Sequence, residues 1–124
     1  MSREGLTALE PQHREEHRED AALYIGYAEV HLRRGEFEKA ENCYSVALRF
    51  ESRSIAALNG LARVYLQTGR LDEATGSVQR ALAVAPEDPG ALTILGEIYA
   101  KRGRFDLAAK QFARATEAAR ERRR

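Results

Sequence analysis

Residues 13–17 read His13-Arg14-Glu15-Glu16-His17, two histidines four positions apart with a glutamate beside the second. On a helix that spacing puts both imidazoles on one face, where they can hold a zinc ion while the glutamate takes a proton from metal-bound water. The chemistry also needs a third ligand and a cleft around the metal. Here the motif lies in a charged leader, with six acidic and three basic side chains in residues 1–20, ahead of any apolar pattern. It reads as a chance match, and the pair offers no more than an adventitious metal contact. Cys43 is the single cysteine, which excludes an intrachain disulfide and a thiolate-rich zinc site. Its nearest histidine in sequence, His31, sits at a core-spaced position. No glycine-rich phosphate loop, paired-carboxylate cleft or serine elbow is present. The expectation is a protein without catalytic residues, metal or cofactor.

Charge and hydropathy narrow the classes further. Lysine and arginine total 20, aspartate and glutamate 19, for a formal net charge of +1 over 124 residues. Coating nucleic acid demands a larger cationic excess, because each neutralised phosphate needs a cation. The run Arg120-Glu121-Arg122-Arg123-Arg124 has no interleaved aromatic platform and suits the negative end of a helix dipole. No apolar run approaches the roughly 20 residues that span a bilayer, and the first twenty residues lack a signal-peptide core. A cytoplasmic location is expected.

The elements that must position any site come from an internal repeat. Gly35, Gly69 and Gly103 are each 34 residues apart, in the phrases HLRRGEFEKA, YLQTGRLDEA and YAKRGRFDLA. The register defines segments 21–54, 55–88 and 89–122, after a leader (1–20, loosely ordered or capping) and before a basic end (123–124). Columns align throughout: Tyr24, Leu58, Leu92; Tyr27, Leu61, Leu95; Ala28, Ala62, Gly96; His31, Tyr65, Tyr99; Phe37, Leu71, Phe105; Ala40, Ala74, Ala108; Tyr44, Val78, Phe112; and Ala47, Ala81, Ala115. Their steps of three and four predict two amphipathic helices per unit. The glycines fall where the first helix must stop and reverse, a left-handed position that glycine takes without steric cost. Asp88 with Pro89 predicts a capped helix start, Ser52 or Ser54 another, and Asp20 a third. Small columns let helix axes approach, and the large columns, aromatics included, are read as core.

This pattern resembles the tetratricopeptide repeat, a 34-residue helix–turn–helix unit. In the middle repeat the family positions are held by Leu58, Leu61-Ala62, Tyr65, Gly69, Ala74, Val78, Ala81 and Pro86. Departures include Tyr24, Leu58 and Leu92 in place of tryptophan, His31 for an aromatic, and Ser52 and Arg120 for the proline. The resemblance implies an all-α fold, a right-handed superhelical array of three repeats. It also implies action by binding a peptide or helix of a partner protein, as an adaptor, chaperone-like protein or scaffold.

By family register the first helices present Ala22, Ile25, Gly26, Glu29, Leu32 and Arg33; Ala56, Asn59, Gly60, Arg63, Leu66 and Gln67; and Gly90, Thr93, Ile94, Glu97, Ala100 and Lys101 to a concave groove. Ile25, Leu32, Leu66 and Ile94 are expected to form an exposed apolar floor, the alternative being that Ile25 and Ile94 bury and leave the groove shallow. Glu29, Arg63 and Glu97 form a column of alternating charge that either ties the repeats or reads a ligand's charges. Relatives that grip acidic C-termini of heat-shock chaperones do so with a cationic clamp; the matching positions here are Ile25, Glu29, Gly60, Gly90 and Ile94, so that partner class is not expected. The three-repeat architecture is similar to that of small bacterial secretion chaperones. A stripe of Ala109, Ala113 and Thr116 on the last helix is an alternative self-association seam, making the chain a homo-oligomeric assembly subunit.

Overall fold

The computed structural model describes residues 11–124, with side chains from His17 onward, and folds them into helices joined by short turns. In chain order these are α1 (Pro11–Arg33), α2 (Phe37–Phe50), α3 (Ile55–Gln67), α4 (Leu71–Val84), α5 (Pro89–Lys101) and α6 (Phe105–Arg123). Helices α1/α2, α3/α4 and α5/α6 pack as pairs. The pairs join through α2 on α3 and α4 on α5, with α1, α3 and α5 adjoining along one side.

Each pair closes through the same backbone device. Gly35, Gly69 and Gly103 have φ of 74°, 79° and 79°. The residue after each donates its N–H five positions back: Glu36 to the His31 carbonyl (2.9 Å), Arg70 to Tyr65 (2.8 Å) and Arg104 to Tyr99 (2.8 Å). Those bonds satisfy carbonyls that the helix end would otherwise strand. The second helices start without a side-chain cap, at Glu36, Arg70 and Arg104, whereas α3 and α5 are capped. Ser54 Oγ accepts from Ala57 N at 3.2 Å, and Asp88 Oδ2 from Ala91 N at 2.9 Å with Pro89 at the first turn. Such a cap contributes about 1 kcal/mol.

Two expectations at the start of the chain are corrected. Asp20 caps nothing, because α1 runs through it from Pro11. Residues 11–20 therefore lengthen the first helix of the array, and the His17 and Tyr24 rings lie 6.0 and 6.2 Å from that of Phe50 in α2. Residues 1–10 lie outside the described residues. The core columns also need correction at the ends of the array. Tyr27 is 51% exposed, Phe105 70% and Phe112 39%, whereas the middle-repeat equivalents of Tyr27 and Phe112, Leu61 and Val78, are buried. In the middle repeat the covering helix belongs to an adjacent repeat, and among the described residues none covers these faces of α1 and α6.

The joints between repeats are matched in volume. Gly60 of α3 lies under the Tyr44 ring of α2, so closely that a Cβ there would overlap the ring. One repeat later the same register opposes Val78 and Ile94, both fully buried in one cluster. A ring over a glycine and a small branched residue against isoleucine fill similar space. Polar contacts flank the apolar seam. Arg70 Nη1 donates to Glu41 Oε1 at 2.9 Å and its guanidinium lies 4.5 Å from the Tyr65 ring centroid. Arg102 Nη2 donates to Asp72 Oδ1 at 2.7 Å, and Asn59 Nδ2 to Asp88 Oδ2 at 2.9 Å.

The volume match predicts a compensating pair. Gly60→Ile alone should destabilise by about 1–3 kcal/mol, the usual cost of overpacking. Adding Tyr44→Val transplants the Val78–Ile94 combination and should recover part of that loss in denaturant unfolding. A double variant no more stable than Gly60→Ile would refute the match.

Candidate functional site

The adjoining first helices leave a depression of about 340 Å³ between α1 and α3, lined by Glu29, Leu32, Arg33, Tyr44, Ala56, Asn59, Gly60 and Arg63. Seven of these come from α1 and α3 at the positions that family register assigns to a groove. The eighth, Tyr44, reaches in from α2. It is 2% exposed and doubles as floor. Gly60 is what lets it through, and glycine at that column is the signal in the sequence that pairs the two.

The apolar floor is corrected. Ile94 has no exposed surface, Leu66 is 9% exposed, and Gly60 is buried beneath Tyr44. Ile94 points into the seam between repeats, where Val78 leaves space for it, so it belongs to the core and not to the groove. Ile25 and Leu32 are half-buried against the cluster of Ala28, Ala40 and Tyr44. Ala22, Gly26 and Lys101 are exposed, and Thr93 is half-buried, its hydroxyl donating to the Pro89 carbonyl at 2.8 Å. The groove is therefore polar at its rim and aromatic at its floor, not broadly apolar.

Its electrostatics centre on the Glu29, Arg63, Glu97 column. No ion pair closes among these three within the described residues, since the salt bridges lie elsewhere. Glu29 and Arg63 instead act on the Tyr44 phenol. Burial pushes its pKa up to about 12; the Glu29 carboxylate adds to the rise, and Arg63 opposes it. Two acceptors on this face are cut off from water with no donor: Asn59 Oδ1 and Glu97 Oε1. The orientation of the Asn59 amide follows from its other atom, Nδ2, which must donate to the Asp88 carboxylate. Asp88 is thus shared among Asn59 of α3, the start of α5 and Arg122 of α6, whose Nη2 lies 3.3 Å from Oδ1.

The remaining candidates are dispersed. His17 faces Phe50, and the side chains of His13 and Glu16 lie outside the described residues. Among the described residues no group of three or more His, Cys, Asp or Glu is placed to hold a metal ion. Cys43 is half-buried. Ala109, Ala113 and Thr116 are exposed on α6, with the Thr116 hydroxyl bonded to the Phe112 carbonyl at 3.0 Å. No described helix is long and apolar enough to cross a membrane.

The phenol gives a signed pH dependence. Folded Tyr44 holds its proton more tightly than the unfolded chain, where the group titrates near 10.0. Its contribution is complete below pH 10 and is lost as pH rises through about 12. Wild type should accordingly lose stability more steeply over that window than Tyr44→Phe, measured by urea unfolding at each pH. Parallel curves would refute the assignment.

Comparisons with known proteins place this geometry in a family. The Tetratricopeptide repeat family profile matches residues 28–89 and 59–122. No curated protein matches the sequence. Among solved structures, the second TPR of Spaghetti (RPAP3) bound to the HSP90 peptide SRMEEVD superposes with a TM-score of 0.77 at 16% identity, over 85% of this chain and 96% of that one. The Arabidopsis OM64 TPR domain gives 0.76 at 17% identity, over 82% and 84%. Pseudomonas aeruginosa pilF gives 0.73 at 25% identity, over 83% of this chain and 45% of its own. With the 34-residue register, the three glycine-closed helix pairs and the profile matches, the chain is an all-α superhelical array belonging to the tetratricopeptide repeat family.

Proposed function

We propose that this chain is a non-enzymatic interaction module, an adaptor or scaffold that binds a peptide or helix of a partner protein along α1, α3 and α5. The observation that carries the reading is the depression of about 340 Å³ between α1 and α3, seven of whose eight lining residues stand at the positions that family register assigns to a groove. The depression is lined by Glu29 together with Arg33 and Arg63, all exposed, so the ligand that fits brings charge of both signs. The RPAP3 neighbour holds the acidic peptide SRMEEVD. The positions matching a carboxylate clamp hold Ile25, Glu29, Gly60, Gly90 and Ile94 here, which argues for a client of different charge.

Peptide-display selection against wild type should return segments carrying both acidic and basic residues. Arg63→Ala should weaken the best of them roughly 10- to 100-fold, as loss of one charge-assisted hydrogen bond does, with circular dichroism unchanged. Selected peptides that bind Arg63→Ala and Glu29→Ala as tightly as wild type would sink the reading.

A further inference from the structure

The two ends of the array are unlike each other, and each carries what the other lacks. On α1, Leu23, Tyr27 and Val30 are 51%, 51% and 53% exposed, spaced as one helical face. Thirty-four residues on, Ala57, Leu61 and Val64 are buried to 0%, 6% and 1%. What covers that face inside the chain is the second helix of the preceding repeat, α2 on α3 and α4 on α5. The α1 face is therefore shaped for a helix of that second kind. At the opposite end α6 is such a helix, with Phe105 70% exposed and the Phe112 ring, seated against Gly96 of α5, still 39% exposed.

We propose that a second copy of this chain is the occupant, with α6 of one copy seated on α1 of the next. The internal joints act as the template, and three independent features carry over in register. Tyr44 lies over Gly60, and the same register sets Phe112 of one copy over Gly26 of the next. A Cβ at Gly26 would meet nothing within 4 Å in the single chain, so the seat is open. Glycine is the poorest helix former after proline, and the approach of a ring is what its presence mid-helix would serve. The ion pair Arg102–Asp72 at 2.7 Å becomes Arg34 of one copy with Asp106 of the other, both exposed. Finally, antiparallel packing sets the last turns of α6 beside the first turns of α1. Residues 117–124 hold four arginines against two glutamates, and the described side chains that precede Ala21 in α1 include Glu19 and Asp20 against Arg18. Opposite charges meet.

The contact joins two different surfaces, so it does not close on itself as a two-fold dimer does. Successive copies extend the superhelix. It uses the ends of the array and not the depression between α1 and α3, and stands whether or not a peptide binds there.

Sedimentation velocity of the full chain tests it. Wild type should form a concentration-dependent series of oligomers. Tyr27→Arg and Phe105→Arg change well-exposed side chains and should each be folded monomers. Mixed in equal amounts, they should form a heterodimer and stop there, since one intact α6 face meets one intact α1 face. Gly26→Leu should keep or raise helicity yet weaken association roughly 10- to 100-fold by filling the seat of the Phe112 ring. A wild type monomeric at every soluble concentration overturns the proposal and leaves the α1 face to residues 1–10 or to another protein. So does tighter association of Gly26→Leu, the behaviour of a merely adhesive apolar patch, or persistent dimers of either arginine variant alone.

Discussion

Everything in this array depends on how one helix pair seats on the next. Apolar burial supplies the drive, but it is non-directional and would accept several registers. Direction comes from close packing at the seam, where an atom too many or too few changes the fit. Tyr44 over Gly60 and Val78 with Ile94 are two solutions of the same volume equation within one chain. Because the solutions differ, the joints are not interchangeable, and that non-equivalence fixes which face meets which.

Polar links ride on that seam and sharpen it. Asp88 shows the economy of the arrangement: one carboxylate caps α5, takes the Asn59 amide from α3 and meets Arg122 of α6. Its side chain is only 10% exposed, so the contacts act where water screens them least. Arg70, in contrast, binds Glu41 and Glu73 near the surface, an exposed cluster whose contribution is modest. The Asn59 bond has a consequence for the groove, since committing Nδ2 to Asp88 leaves Oδ1 without a donor.

Structure and function meet at Tyr44. The ring that completes the first joint is also the floor of the depression, with Glu29 and Arg63 acting on its phenol. A ligand contacting that floor touches a residue packed between two repeats. The exposed ends obey the same packing rule with one partner missing, which is why Phe105 and Tyr27 stand in solvent although their columns are apolar.

The sequence by itself determined the period, the helix pairs, the left-handed glycine turns and the cap at Asp88, because each depends on neighbours within a few residues, and it left the first joint to Ser52 or Ser54, of which the structure uses Ser54. The tetratricopeptide register also placed Glu29 of α1 with Asn59 and Arg63 of α3 on one face, a grouping that spacing within a single helix gives only for Asn59 and Arg63. The sequence did not show that α1 begins at Pro11, where rings at His17 and Tyr24 reach Phe50 across the pair. Nor did it separate Ile94 from Ile25: both occupy groove columns, yet one is sealed and the other half-open. That choice belongs to the tertiary structure, because burial at a position is set by the volume of the residue opposite, and the residue opposite lies in another repeat. The same reason hid Tyr44 among core residues until the glycine beneath it let the ring through to the groove.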